Sequence, residues 1–305
     1  MTNQSRLVLF GASKAGETYL ERNPDANIIA FVDNDTKRQG TQVMGVVVLA
    51  PEQLKTLEFD TVIITSLWID SIYSQLTLQL GIDSSRIKIP NKRELKAELP
   101  FSDPNTLALA HQLLIGLNAF FDNHQIKACV DSGTLLGLMR EGDLLRWDDD
   151  IDFAVDDADF ERALELLRDP SGLLPGQDLV VWKATLLKMS GQNVCLNIEF
   201  TPKANRGLIP FETSLQRRKS TLGRSELLSS AGIFYAPEQH FNATETLVFK
   251  GWPIRIPAQP EQFLTFMYGD WKTPKTQMKL NEYDNRRELS EINPNSIAIE
   301  KVMYW

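Results

Sequence analysis

Asp148, Asp149, Asp150 and Asp152 set four carboxylates directly after Trp147, interleaved with Ile151 and Phe153. Side chains alternate along a strand, so Asp150 and Asp152 share one face while Ile151 and Phe153 take the other. Two carboxylates roughly 7 Å apart on one strand face repel each other unless a cation lies between them. An all-oxygen ligand set of that kind suits Mg²⁺ or Mn²⁺. A solvated acidic turn would not require the interleaved apolar residues. Upstream lies the small-residue loop Ser132-Gly133-Thr134-Leu135-Leu136-Gly137. Gly133 has no Cβ, so backbone amides can approach a phosphate closely, and a helix opening near Thr134 adds a partial positive charge. Loop and acidic strand together predict a divalent metal and phosphate site, with Asp150 and Asp152 as metal ligands. Ser132, Gly133, Thr134, Arg140, Trp147 and Asp149 are the candidate substrate-binding residues.

Chemistry on a phosphate also needs a further group near the attacking hydroxyl, which predicts a third carboxylate from a neighbouring strand. Glu199, in Asn197-Ile198-Glu199-Phe200, is the candidate, as metal ligand or as general base. Arg217, Arg218 and Lys219 form a short basic cluster, read as a solvated turn, with a clamp for an anionic substrate as the alternative. His111, His124 and His240 are isolated from any Ser or Cys motif, so no hydrolase triad can be argued.

The elements that must position these residues fall into two groups. Apolar strands at Arg6 to Phe10, Asn27 to Val32 and Thr61 to Thr65 alternate with helical spacing at Lys14 to Leu20, Pro51 to Leu57 and Ile69 to Leu80. That repetition predicts a Rossmann-like parallel sheet covered on both faces. Within it, Gly11, Ser13 and Gly16 form a GxSxxG turn, and Asp33 follows Gly11 by 22 residues, close to the spacing of a ribose-binding acid. These four are the candidate cofactor-binding residues for NAD or another nucleotide; the alternative is a scaffold without a ligand. A polar stretch with prolines at 90, 100 and 104 separates a domain over residues 1–95 from one over residues 96–305. The second begins with an amphipathic helix from about Asn105 to Asn123 and continues through a strand at Ile126 to Val130. After the acidic strand come a helix at Ala158 to Leu167, strands within Leu179 to Met189 and Val194 to Phe200, and a mixed tail. The fold class is therefore α/β: an N-terminal Rossmann-like sheet followed by an α+β unit with a mixed sheet.

At 305 residues, with 43% hydrophobic and 24% charged content, the chain has the composition of a soluble globular protein of two domains. A formal charge of −8 without a basic stripe argues against nucleic acid as a partner. Cys129 and Cys195 sit in apolar runs and read as packed free thiols rather than as a disulfide or zinc site. No signal peptide or transmembrane run is evident, so the expectation is a cytoplasmic protein with access to the inner membrane face. Homo-oligomer formation is left open.

The motifs resemble a known family. Asp131 to Gly137, Arg140, and Trp147-Asp148-Asp149-Asp150-Ile151-Asp152 are similar to the LicD family of nucleotidyltransferase-like phosphotransferases, to which fukutin and fukutin-related protein also belong. Gly251, Ile256-Pro257 and Tyr268-Gly269-Asp270-Trp271-Lys272-Thr273-Pro274 resemble the family's closing motif, so the likeness spans about residues 105–275. It implies a nucleotidyltransferase-like fold and transfer of a phosphorylated alcohol, such as phosphocholine or an alditol or glycerol phosphate, from a CDP-linked donor to a glycan hydroxyl. Surface polysaccharide or glycoconjugate synthesis would be the setting. Position by position, Gly133 and Thr134 match the phosphate loop, and Asp150 and Asp152 the metal pair. Arg146 replaces a customary proline and Asp143 a common glycine, which puts the shape of the loop over the site in question. Two competing readings stand beside this one. A NAD-dependent nucleotide-sugar oxidoreductase or epimerase would use the N-terminal fingerprint, although no Tyr-x-x-x-Lys type pair supports it. A non-catalytic assembly module would carry a degenerate acidic site.

Overall fold

The computed structural model describes residues 4–66, 68–90, 92–95, 99–203, 207–229, 232–274, 284–287 and 299–305. The chain divides near residue 97 into two compact units. The expected boundary lies between residues 95 and 96, and residue 96 is outside the described residues.

The first unit runs β1 (Arg6–Phe10), α1 (Lys14–Arg22), β2 (Asn27–Val32), β3 (Gln42–Val43), β4 (Val46–Leu49), β5 (Thr61–Ile64), α2 (Ile69–Ser74), β6 (Ile87–Lys88) and α3 (Lys92–Leu95). Its sheet has the order β3-β4-β2-β1-β5-β6. All neighbours are parallel except the β3–β4 hairpin. The chain moves outward from β1 through β2 to β4 and then returns past β1 to β5 and β6, the reversal of a doubly wound sheet. Alternation explains the continuous apolar strands. Val8, Phe10, Val32, Val62 and Ile64 enter one core with Ile72 and Leu76, while Leu9, Phe31 and Ile63 enter another with Ala12 and Tyr19. Each face of the sheet therefore has its own apolar cover.

The second unit opens with α4 (Pro104–Asn123), capped by Asp103. It continues through β7 (Ala128–Val130), α5 (Ser132–Arg140), β8 (Asp150–Asp156), α6 (Asp157–Leu166), β9 (Val180–Met189), β10 (Gln192–Pro202) and β11 (Glu212–Thr221). Then follow β12 (Arg224–Ser229), β13 (Gly232–Pro237), α7 (Gln239–Asn242), β14 (Thr244–Phe249), β15 (Trp252–Pro257), α8 (Pro260–Tyr268), β16 (Arg286–Arg287) and β17 (Ile299–Met303). The main sheet is ordered β16-β13-β12-β11-β10-β9-β17, with β8 paired to β11 and β7 to β8. It is mixed: β8 and β11 run parallel, while the other pairs in this sheet are antiparallel. Asp156 caps α6 by accepting from the Ala158 amide at 3.0 Å, the ordinary use of aspartate there. Leu113, Leu117, Phe121, Ile151, Phe153, Val155, Phe160, Leu196 and Ile198 form the dry side of the sheet's core. The stretch from Glu212 onward, expected as a loose tail, is strand for much of its length.

Candidate metal and phosphate site

Sheet register builds the site. Glu212 pairs with Asp150 and Ser214 with Asp152 across β11 and β8. On the other side of β11, Glu212 pairs with Glu199 and Ser214 with Asn197 of β10, and Glu199 in turn pairs with Lys183 of β9. Directly paired residues project to the same face. Asp150, Glu212, Glu199 and Lys183 therefore make one row across four strands, with Asp152, Ser214 and Asn197 in the next. Alternation sends Ile151, Phe153 and Thr213 to the opposite, buried face. Burial, reinforced by the charges of Asp150 and Glu199, pushes the Glu212 carboxyl up to about 7. Asp152 is 8% exposed and accepts from Gln216 Nε2 at 2.8 Å. The Glu199 carboxylate meets Lys183 at 3.4 Å, both well exposed.

The loop before α5 is tied to this row at several points. Asp131 caps the helix, accepting from the Ser132 amide at 2.7 Å, while its own amide donates to Asp152 O at 3.0 Å. Ser132 takes a left-handed φ of 51°, which turns the chain sharply into the helix. The Thr134 hydroxyl accepts from the Asp152 amide at 2.9 Å. Gly133 leaves room for the Asp148 side chain: a Cβ there would lie 2.2 Å from Asp148 Oδ2 and would displace that carboxylate. The Asp148 carboxylate thus rests against the first turn of α5, where the helix dipole favours an anion. Asp149 joins β8 to β11, its carbonyl accepting from the Glu212 amide at 3.2 Å.

The donor set fits a hard dication. Carboxylate oxygens of Asp148, Asp149 and Asp150 all lie within 4.8 Å of one another. Beside this group the Glu212 carboxyl, raised by burial and then by its acidic neighbours, marks a site where Mg²⁺ or Mn²⁺ would offset the charge. Asp148, Asp149 and Asp150 are the carboxylates close enough to share an ion; Asp152, the other expected ligand, stands in the next row of the same face and accepts from Gln216, and Glu212 flanks Asp150 across the strand pair.

The structure brings Ser132, Gly133, Thr134, Asp149, Asp150 and Asp152 together. Arg140 is turned toward the protein: it donates to Trp271 O at 3.1 Å, meets Glu141 at 2.9 Å and lies 5.5 Å from the Trp147 ring centroid. It joins the two expected motif segments rather than reaching alone toward an anion. The basic cluster is not a solvated turn. Arg218 is 4% exposed and paired with Asp131, and Arg217 holds Asp157 and Glu161 of α6 at 2.5 and 2.9 Å. The cause is β11, whose alternation carries Arg217 to one face and Arg218 to the other. Glu212 and Gln216 were missed, and Arg218 read as part of a solvated turn, for the same reason: the strand holding them was not recognised. Glu199 stands one strand further from Asp150 than Glu212 does. Asp143, in the loop before Trp147, pairs with His111 at 2.5 Å, and burial lowers the imidazole.

In the first unit, Gly11, Ser13, Gly16 and Asp33 gather around the turn after β1. Gly11 has φ +121°, and a Cβ on Gly16 would lie 2.3 Å from Gly11 O. Ser13 occupies the N-cap position of α1 without a side-chain cap bond. Asp33 accepts at 2.9 Å from both the Ala12 and Asp35 amides, and Arg38 donates to Ala12 O. The turn is thus tied by its own neighbours.

Residues 3–88 match the family model described as C2185-like, N-terminal. Residues 125–259 match the LicD/FKTN/FKRP, nucleotidyltransferase domain. A comparison with curated proteins gives no match. Among solved structures, UDP-D-quinovosamine 4-dehydrogenase from Vibrio fischeri is 19% identical, covering 28% of this chain and 78% of its own, with a TM-score of 0.25. UDP-N-acetylglucosamine 3-dehydrogenase GnnA from Acidithiobacillus ferrooxidans is 12% identical, covering 77% and 81%, with a TM-score of 0.23. The architecture given above rests on strand order and register alone.

Proposed function

Starting from a chain that carries a LicD-family domain at residues 125–259, we propose that it transfers a phosphorylated alcohol from a CDP-linked donor to a glycan hydroxyl. The family's domain supports a phosphotransferase of glycoconjugates. The observation that supports the finer reading is the cluster of Asp148, Asp149 and Asp150, with the Asp148 carboxylate against the start of α5 at Gly133 and Glu212 beside Asp150 in the sheet. Phosphocholine and glycerol or alditol phosphates are the donor classes, with a nucleotidyltransferase-like second unit as their platform.

In this scheme the acceptor oxygen forms a bond to the donor's β-phosphorus while the bond to the α-phosphate oxygen breaks, and CMP leaves. Asp150 and Asp152, supported by Asp148 and Glu212, would hold Mg²⁺ or Mn²⁺, which when bound neutralises charge on the diphosphate. The helix start at Gly133 and Thr134 orients the phosphates, and Gln216 keeps the Asp152 carboxylate in one rotamer. Glu199, next in the row beyond Glu212, is our candidate to take the acceptor's hydroxyl proton. Trp147 walls the cleft. The first unit acts as a scaffold or nucleotide platform. No helix among the described residues is long and apolar enough to cross a membrane. The proposed setting is the cytoplasm, with the acceptor reached at a membrane surface.

The test is CMP release from CDP-choline, CDP-glycerol and CDP-ribitol, in Mg²⁺ and in EDTA, by the native chain and by Asp152→Asn. Metal-dependent release that falls at least a hundredfold in a folded Asp152→Asn protein is expected. Retained turnover in that variant, or turnover indifferent to EDTA, would overturn the scheme.

A further inference from the structure

Every second residue of β11 from Glu212 to Arg218 faces the site, and Arg218 ends this series in a position far from solvent. Its Nε donates to Asp131 Oδ2 at 2.8 Å, and its Nη2 lies 2.8 Å from the same oxygen. Nη1 donates to Ser225 O of β12 at 3.1 Å, and the guanidinium carbon sits 4.2 Å from the Phe241 ring centroid. The side chains of Arg218 and Asp131 are 3% and 1% exposed. From Asp131 the connection divides. One branch reaches the Ser132 amide at the head of the phosphate turn, and the other reaches Asp152 O on the metal strand.

A buried ion pair returns in attraction about what it loses in desolvation, so an apolar pair of equal volume would serve stability as well. A planar guanidinium held at Asp131, Ser225 and Phe241 supplies something else, a single orientation for the carboxylate it grips. The turn into α5 gains from that, because Ser132 holds a left-handed φ of 51°, a conformation unfavourable for a non-glycine residue, directly beside the carboxylate that Arg218 grips. We infer that Arg218 is a positioning residue for the phosphate loop: acting through Asp131, whose carboxylate holds the Ser132 amide, it sets where the turn at Ser132 and Gly133 stands relative to the carboxylates of β8. The inference rests on the transfer reading above for the identity of the bound diphosphate. The linkage itself requires only that some diphosphate binds.

The experiment compares the full-length native chain with Arg218→Lys and with the double variant Arg218→Met/Asp131→Asn, which leaves no unpaired buried charge. Calorimetry with Mn²⁺ alone, with pyrophosphate plus Mn²⁺, and with CDP plus Mn²⁺ separates the parts of the site. Both variants should keep Mn²⁺ affinity within threefold and lose at least tenfold in affinity for pyrophosphate and CDP. Arg218→Lys, which retains the charge without the fork, should lose less than the double variant. In turnover the loss should appear in the donor's KM. Unchanged diphosphate affinity in both variants would overturn the inference, as would a parallel fall in Mn²⁺ affinity and melting temperature. If the native chain binds pyrophosphate but not CDP, the transfer reading falls while the Arg218 comparison proceeds on pyrophosphate. If it binds neither, both are overturned.

Discussion

Removing the charge at Glu212 should stabilise the metal-free protein at alkaline pH, which is the reverse of the usual result for deleting a half-buried hydrogen-bonded side chain. Glu212 is desolvated between Asp150 and Glu199 and titrates near 7, against an ordinary 4.5. A carboxyl whose folded pKa is raised binds more protons in the native than in the unfolded state, so stability falls as pH rises through the interval. Below 4.5 the group is neutral in both states and costs nothing. Above 7 it is ionised in both, and the native state carries the full penalty. At 1.36 kcal/mol per pKa unit the penalty is about 3 kcal/mol, and it belongs to the row of three carboxylates as a whole. Glu212→Gln keeps the volume and an acceptor for the Ser214 hydroxyl while abolishing the titration. In EDTA the variant should match the native chain at pH 4.5 and exceed it by up to about 3 kcal/mol at pH 8. Millimolar Mg²⁺ should return most of the deficit to the native chain, since a ligand at a hundred times its Kd stabilises by about 2.7 kcal/mol. Urea unfolding followed by tryptophan fluorescence suits the measurement, because five of the six tryptophans lie in the second unit. Equal pH slopes for both proteins in EDTA, or a less stable variant at pH 8, would refute the electrostatic reasoning.

Gly133→Ala should separate stability from binding in a different way. Alanine is favoured over glycine within a helix by about 1 kcal/mol, and the obstacle is a movable carboxylate. The melting temperature should therefore hold or rise, while displacement of Asp148 lowers Mn²⁺ affinity at least tenfold by calorimetry. Cys129 and Cys195 are buried, which drives both thiols far up. Neither should react with a disulfide reagent at pH 8 until the protein is unfolded, as absorbance would show.

How much of this was legible from residues alone depended on which periodicity each element displayed. β8 announces itself because Asp150 and Asp152 alternate with Ile151 and Phe153, and α5 because the small-residue loop at Ser132 to Thr134 precedes its apolar turn. The strands of the first unit are continuous apolar runs, readable because both of their faces are covered. β11 hides. Its buried face carries Thr213, Leu215 and Arg217, and its site face Glu212, Ser214, Gln216 and Arg218, so neither polarity nor charge alternates. Without that strand, Glu199 was the nearest acid flanked by apolar residues, and Arg218 read as part of a solvated cluster. Sheet order decides which acid stands next to Asp150, and no local pattern in a single chain encodes it. Arg140 illustrates a related limit: its place near the loop was legible, but its direction depends on Trp271, more than a hundred residues away.

Asp150 and Glu212 are immediate lateral neighbours, yet 62 residues of chain separate them. Parallel partners cannot be closed by a tight turn, so this junction waits on the intervening helix and hairpin. Loop-closure entropy places such a contact late in folding. A nascent or partly unfolded copy therefore has the Asp-rich segment without its lateral acid. On the proposed metal reading, Asp148, Asp149 and Asp150 are local in sequence, while the lateral contribution of Glu212 arrives only with completion of the unit.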